Sequence, residues 1–323
     1  MNTSLGGDCK RLWTPGCLDC EAMPIESPYA ARLAELSQRV DTVEVLGSTT
    51  KYWTYGPDDA PLTIVICHGY RGEHHGLEPV IAQLRGVRII GPDLPGFGES
   101  TPMTGTPHSV PGYAAWFGAF IDTLALDEKP VILGHSFGSI VTAYAVANGI
   151  AETPKLVLVN PIAAPYDSGP FGFFARRTLD FYRLSAKLGG VGNWLLGNRL
   201  TVQVMSSALA KTPDKTLRKW IHEEHHRYFS KYSDLATVVE SFEASTSSDV
   251  SEFGPKIAVP TLLIGAELDL ITPVPALHAL QQSMADAELH VIDGVGHLIH
   301  YEKAEIAATM IVDFLGEGSV VGG

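Results

Sequence analysis

Positive charge is scarce in this sequence. Lysine and arginine together number 23 against 36 aspartates and glutamates in 323 residues, a formal net charge of −13. A surface of that sign repels phosphate backbones and anionic headgroups, so nucleic acid is not an expected partner. Long apolar runs are missing as well. Leu62 to Cys67 and Leu156 to Val159 fall far short of the roughly 18 residues that suggest a membrane span. Lys10 and Arg11 are followed by no apolar segment of the kind a secretory signal carries, which makes a cytoplasmic location the expectation. Cysteine is sparse, with 4 residues at Cys9, Cys17, Cys20 and Cys67. That is too few for a disulfide scaffold at this length. Cys17 and Cys20 form a C-x-x-C pair, but neither the four ligands of a zinc site nor the βαβ setting of a redox pair accompanies them.

Apolar residues are abundant. At 45% hydrophobic and 18% charged, the chain can bury one large core and carry a smaller inserted unit. Short β-like runs alternate with helix-length segments from about residue 40 to 160 and again from about 260 onward. This alternation predicts an α/β fold with a mostly parallel, doubly wound sheet. Val43 to Leu46 and Tyr52 to Tyr55 read as an opening hairpin around Gly47 to Thr50. Leu62 to Cys67, Val87 to Ile90, Val131 to Leu133, Leu156 to Val159, Thr261 to Ile264 and Leu289 to Ile292 read as buried strands. Helical spacing recurs over Leu77 to Leu84, Tyr113 to Leu126, Ser139 to Ala147, Pro275 to Met284 and Ala304 to Leu315. From 161 to 255 no strand-like run is found, and aromatic and charged residues recur every three or four positions, as in amphipathic helices. The expected organisation is an extension over 1–40, a core over 41–160 and 256–316, and a helical cap over 161–255.

The chemistry centres on Gly134-His135-Ser136-Phe137-Gly138. A bare G-x-S-x-G would occur by chance in about one chain in ten of this length. Its setting, after Val131 to Leu133 and before the helix near Ser139, is what gives it weight. Glycines leave room for a sharp strand-to-helix turn that lifts the serine hydroxyl to the carboxyl edge of the sheet. A serine hydroxyl needs a base within hydrogen-bond reach and a carboxylate to hold that base in one tautomer. Leu262 to Gly265 leads to Glu267 and Asp269, and Leu289 to Ile292 leads to Gly294-Val295-Gly296-His297. His297 is the expected base, on a glycine-flanked loop after a late strand. Asp269 is preferred to Glu267 as the acid on its spacing to Pro273. His300 is expected on the following helix, in a structural role.

The order serine, acid, histidine, with the G-x-S-x-G elbow and a helical insertion before the acid, resembles the α/β-hydrolase superfamily over about residues 40 to 315. His68-Gly69-Tyr70 looks like that family's oxyanion loop, and Pro92 to Ser100 like its turn after the fourth strand. The resemblance implies that the backbone N–H groups of Tyr70 and Phe137 form an oxyanion hole, with His68 anchoring the loop. Serine at position 136 disfavours the relatives that carry aspartate there, chiefly dehalogenases and epoxide hydrolases. The loop from His68 to His75 departs from the small-residue version of relatives that cleave carbon–carbon bonds. Arg71, His74 and His75 are then either local specificity elements or solvated residues. The activity implied is hydrolysis of a carboxylic ester of a small or medium substrate through an acyl-enzyme, with no cofactor and no metal. Carbon–carbon hydrolysis of ring-cleavage products and non-catalytic ligand binding are the alternatives.

One rival motif is present. His222-Glu223-Glu224-His225-His226 satisfies H-E-x-x-H, the zinc-protease pattern. It lies among Lys219, Arg227 and Lys231 without an evident third ligand, so a polar helix surface is the expectation. Phe171, Phe173, Phe174, Phe181, Tyr182 and Trp194 in the insertion read as the packing face of a lid, some of them at the mouth of the site.

Overall fold

Alternating apolar strands and amphipathic helices wind into an eight-stranded sheet in the order β1-β2-β4-β3-β5-β6-β7-β8. The computed structural model describes residues 25–166 and 172–316, with side chains excluded at 172–175. The first half runs α1 (Ala30–Leu33), β1 (Gln38–Val45), β2 (Ser48–Tyr55), β3 (Thr63–Cys67), α2 (Glu78–Ile81), β4 (Arg88–Pro92), α3 (Val110–Thr123), β5 (Val131–His135), α4 (Phe137–Ala147) and β6 (Leu156–Val159). Then come α5 (Gly172–Lys187), α6 (Gly190–Gly197), α7 (Arg199–Leu209), α8 (Lys215–Tyr228) and α9 (Leu235–Ser247). The chain returns through β7 (Thr261–Ala266), α10 (Val274–Ser283), β8 (Ala287–Ile292), α11 (Ile299–Glu302) and α12 (Ala304–Leu315).

Only β2 runs against the rest: it is antiparallel to both β1 and β4, and β4, β3, β5, β6, β7 and β8 are mutually parallel. The parallel strands are buried on both faces, and alternate residues enter different clusters. Val65, Ile132, Leu158 and Leu263 pack with α3, α4 and α10, while Ile64, Leu133, Val157 and Ile264 pack with α2 and α12. Short parallel connections then bring every β-to-α loop to one carboxyl edge, which is where an open α/β sheet binds its ligand.

Two local expectations change. The first hairpin turns on Leu46 and Gly47 alone, both at positive φ (49° and 78°), so Thr49 and Thr50 pair in the ladder with Glu44 and Val43. The expected helix over 77 to 84 is a 3-10 turn, His74–Leu77, followed by α2. After Ile81 the bonding tightens to Gln83 N–H on Val80 and Leu84 N–H on Ile81, which ends the α geometry. The structure also begins earlier than the expected core: α1 precedes β1, and Tyr29, Leu33 and Leu36 pack on the sheet.

α5 to α9 are laced to the core through the turn after β4. Phe97 and Tyr232 form an isolated bridge, the Gly98 N–H donates to Lys231 O, and the Ser233 N–H donates to Gly96 O. Among the described residues no helix is long and apolar enough to cross a membrane. Cys9, Cys17, Cys20 and Phe171 lie outside the described residues.

Candidate functional site

Ser136 sits between β5 and α4 at φ 53°, ψ −119°, a conformation that L-residues rarely adopt and that neighbours must enforce. The two flanking glycines are fixed by close approach. A Cβ on Gly138 would lie 2.1 Å from the Cys67 carbonyl oxygen, and one on Gly134 would lie 2.3 Å from Thr142 Oγ1. The Ser136 N–H donates to Val159 O, so the turn is tied to the neighbouring strand. The Ser136 residue is half-buried, and its hydroxyl is within 2.8 Å of His297 Nε2.

His297 is buried on the loop after β8, and its Nδ1 lies 2.8 Å from Asp269 Oδ2. That acid loop and that base loop are stitched together. The Leu268 N–H donates to Val295 O and the Glu267 N–H to Ile292 O. Asp269 Oδ1 accepts the Ile271 N–H at 2.8 Å, and Oδ2 accepts the Asn160 side-chain amide at 3.1 Å. Burial pushes the Asp269 carboxyl up, but His297 and these hydrogen bonds outweigh it and hold the group below its usual range. An ionised Asp269 accepts from Nδ1–H, which leaves Nε2 free to take the serine proton. Glu267, the competing acid, is exposed and accepts the Gly294 N–H at 2.9 Å, away from the imidazole.

Asn160 was not foreseen. It follows β6 at φ 46° and reaches Asp269 only because β6 and β7 are neighbours. Its one sequence signal is a polar residue directly after a buried strand at the carboxyl edge. His68 is placed as expected for an anchor: its Nε2 accepts the Leu94 N–H at 2.8 Å, and its Nδ1 bonds Gly69 O at 2.8 Å. His300 is buried on α11, its ring 4.1 Å from that of His135. Burial, reinforced by neighbouring imidazoles, pushes His135 down to about 3 and His300 well below its ordinary value. Both are therefore neutral near pH 7.

Ser136, His297, Tyr70 and Phe137 all line one cavity of about 370 Å³. Among the described residues neither the Tyr70 nor the Phe137 N–H has a hydrogen-bond acceptor. The cavity roof comes from the inserted helices, through Met205, Leu209, Tyr228, Phe229 and Phe242. Of the six aromatics singled out in the sequence, the three whose side chains are described, Phe181, Tyr182 and Trp194, do not line it. Tyr182 is buried and stacks on Phe242 with centroids 3.9 Å apart, Phe181 packs beneath, and Trp194 is 66% exposed. The side chains of Phe173 and Phe174 lie outside the described residues.

Of the residues offered as either specificity elements or solvated groups, none is simply solvated. His74 is buried, bonded through Nδ1 to Asp93 at 2.8 Å and stacked on Trp53. His75 bonds Glu73 at 2.6 Å and stacks on Tyr228. Arg71 is 1% exposed. Glu73, His74 and His75 bring one ligand atom each within 4.8 Å of one another, but both Nδ1 atoms are already engaged. One nitrogen of each histidine in the H-E-x-x-H stretch is engaged as well: His222 and His225 both bond Ser206 through Nδ1 at 2.6 Å, and His226 bonds Gln203 through Nε2 at 2.9 Å. Those contacts hold α8 against α7, and the second nitrogen of His226, Nδ1, is buried without a hydrogen-bond partner. The Cys67 thiol is buried behind the elbow and pushed up by that burial, which keeps it protonated.

Known proteins resemble this chain at low identity. The chain is 23% identical to the monoacylglycerol lipase ABHD6 of Homo sapiens over 259 residues, 78% of this chain and 75% of that one. It is 24% identical to 2-hydroxy-6-oxononadienedioate/2-hydroxy-6-oxononatrienedioate hydrolase 1 of Dechloromonas aromatica, over 78% of this chain and 86% of that one. The enol-lactonase of Burkholderia xenovorans superposes with a TM-score of 0.71 at 19% identity, over 85% of this chain and 99% of that one. A model of the alpha/beta hydrolase family matches residues 64–309, and the chain belongs to that family.

Proposed function

We propose that this hydrolase cleaves a carboxylic ester of a small or medium substrate through an acyl-enzyme on Ser136. One observation carries the reading. Ser136 Oγ, His297 and Asp269 form an unbroken hydrogen-bonded chain with both links at 2.8 Å, the hydroxyl opening into a cavity. His297 Nε2 takes the hydroxyl proton as Oγ bonds the ester carbonyl carbon. The tetrahedral oxyanion is held by the N–H groups of Tyr70 and Phe137, each such donor contributing about 10²–10³ in rate. Collapse breaks the bond to the leaving oxygen, which receives the proton from His297. Water, deprotonated by the same imidazole, then attacks the acyl carbon and frees Ser136. The five inserted helices over 161–255 act as the cap that roofs this chemistry, and no step calls for a cofactor.

A p-nitrophenyl ester series of rising chain length tests the reading, with Ser136→Ala as control. Equal turnover by both proteins would remove the nucleophile. A fluorophosphonate probe should label Ser136; ligand binding without labelling would favour a receptor. Carbon–carbon hydrolysis is the second reading, favoured by the dioate hydrolase relatives. Loss of a dienoate's visible absorbance, faster than any ester is cleaved, would put it first.

A further inference from the structure

Arg71 is a buried cation that has no counter-ion among the described residues. Its residue is 1% exposed, yet among the described residues it enters no ion pair. Its Nε–H donates to Phe229 O at 2.8 Å, Nη1 to the Tyr182 hydroxyl at 3.2 Å, and Nη2 to Leu196 O at 3.1 Å. A further Nη1 contact goes to the Met205 sulfur at 3.9 Å, a weak acceptor. A guanidinium has five N–H donors, so one Nη2 N–H is left without an acceptor. The rings of Phe229 and Tyr232 lie 5.1 and 5.4 Å from Cζ, which softens the desolvation without neutralising the charge. Glu73 and Glu224 line the same cavity, but their bonds go to other groups. Glu73 bonds His75 and faces Lys231, and Glu224 pairs with Arg227.

An unpaired charge in such a place is costly, because the lost hydration is not repaid by an opposite charge. The chain holds it there at the further expense of a positive φ, 56°, at Arg71 itself. Arg71, Phe229 and Met205 all line the cavity that contains Ser136. Resting on the ester-hydrolase reading, we propose that Arg71 is the subsite for a carboxylate carried by the substrate. The ester to be cleaved would lie at Ser136 and the acid end against the cap-side guanidinium, whose positive charge and one remaining Nη2 N–H suit a carboxylate oxygen. A clamp that only fastened the cap would use the same neutral acceptors, and its removal would weaken all ligands alike.

The test measures binding apart from turnover. Calorimetric titration of the Ser136→Ala protein compares monomethyl adipate with methyl hexanoate, which differ in the terminal carboxylate. Monomethyl adipate is expected to bind about tenfold or more tighter, the worth of a charge-assisted hydrogen bond. Adding Arg71→Met should abolish that ratio, and Arg71→Lys, which keeps the charge but not the fork, should retain part of it. Any general loosening of the cap cancels in the ratio. Equal binding of the two ligands to Ser136→Ala, or no measurable binding of monomethyl adipate, overturns the proposal. An unchanged ratio in Arg71→Met also overturns it. Should the Met variant not fold, the ratio in the parent and in the Lys variant decides. Failure of the esterase reading is seen separately, as equal turnover of p-nitrophenyl hexanoate by the wild-type protein and by Ser136→Ala.

Discussion

The two sides of the cavity are built differently. On the sheet side, Ser136, Asp269, His297 and Asn160 project from loops at the ends of β5, β7, β8 and β6; the Ser136 and Asn160 N–H groups bond the neighbouring strands, and backbone bonds at Glu267 and Leu268 join the acid loop to the base loop. On the cap side, helices α7 to α9 contribute mostly apolar side chains, and α5 to α7 leave Leu184, Leu188, Val191, Trp194, Leu200 and Val204 exposed. The charge divides the same way. Within 172–210 there are five arginines and lysines to one aspartate, in a chain whose net charge is −13. Rigid, hydrogen-bonded loops fix where protons move, while an apolar roof on helices is free to vary in shape and to choose the ligand.

If that division is right, the largest effects must lie on the sheet side. Ser136→Ala should lower kcat by about 10⁶-fold, because neither the covalent step nor the proton transfer survives. Asp269→Asn keeps the shape but offers His297 a donor in place of an acceptor, favouring the wrong tautomer; a loss of about 10⁴-fold is expected. Glu267→Gln should stay close to wild type in the same steady-state assay with a p-nitrophenyl ester. A larger loss in Glu267→Gln than in Asp269→Asn would reverse the assignment of the acid.

The same division decides what could be read in advance. The elbow was legible because its signal is local: strand, glycine, serine, glycine and helix lie within a dozen consecutive residues. His297 was legible because one glycine-flanked histidine follows the last strand. Asn160 was not, since its partner is 109 positions away and becomes a neighbour only through strand order. Arg71 was ambiguous for a related reason. A loop reading His-Gly-Tyr-Arg-Gly-Glu-His-His looks solvated until α8, whose carbonyl at Phe229 lies 158 positions on, closes over it. The aromatic pattern of the cap correctly marked packing at Tyr182, but helical periodicity alone does not say which neighbour a face meets, and the cavity roof fell to other residues.

Stability should separate the two sides next. Ile140 is fully buried on α4, behind the elbow, and Ile140→Ala should cost about 2–5 kcal/mol in urea unfolding monitored by circular dichroism. Acid should act through the buried imidazoles. Burial holds His225 near about 3, as it does His135, and keeps His300 well below its ordinary value. Their folded pKa values lie below the unfolded one of about 6.5, so the unfolded chain binds protons that the folded chain refuses. Their effect is absent above about pH 6.5 and grows as pH falls, reaching roughly 1 kcal/mol per histidine at about pH 5.5. Urea midpoints at the two ends of that window should show the loss, and His225→Gln should have a shallower pH slope than wild type. Parallel slopes would mean that His225 is protonated in the folded protein.

The smallest effect belongs to the outer cap. Trp194 is 66% and Leu200 73% exposed, so Trp194→Ser or Leu200→Ser removes little packing and leaves no cavity behind. Each should shift folding stability by no more than about 0.5 kcal/mol, against the larger loss at Ile140. Neither side chain lines the cavity around Ser136, so turnover of a water-soluble p-nitrophenyl ester should change by less than about twofold in either variant. A loss of a few kcal/mol at Trp194 would show that the outer cap surface is packed as tightly as the core, and the contrast between the two sides would fail at its simplest point.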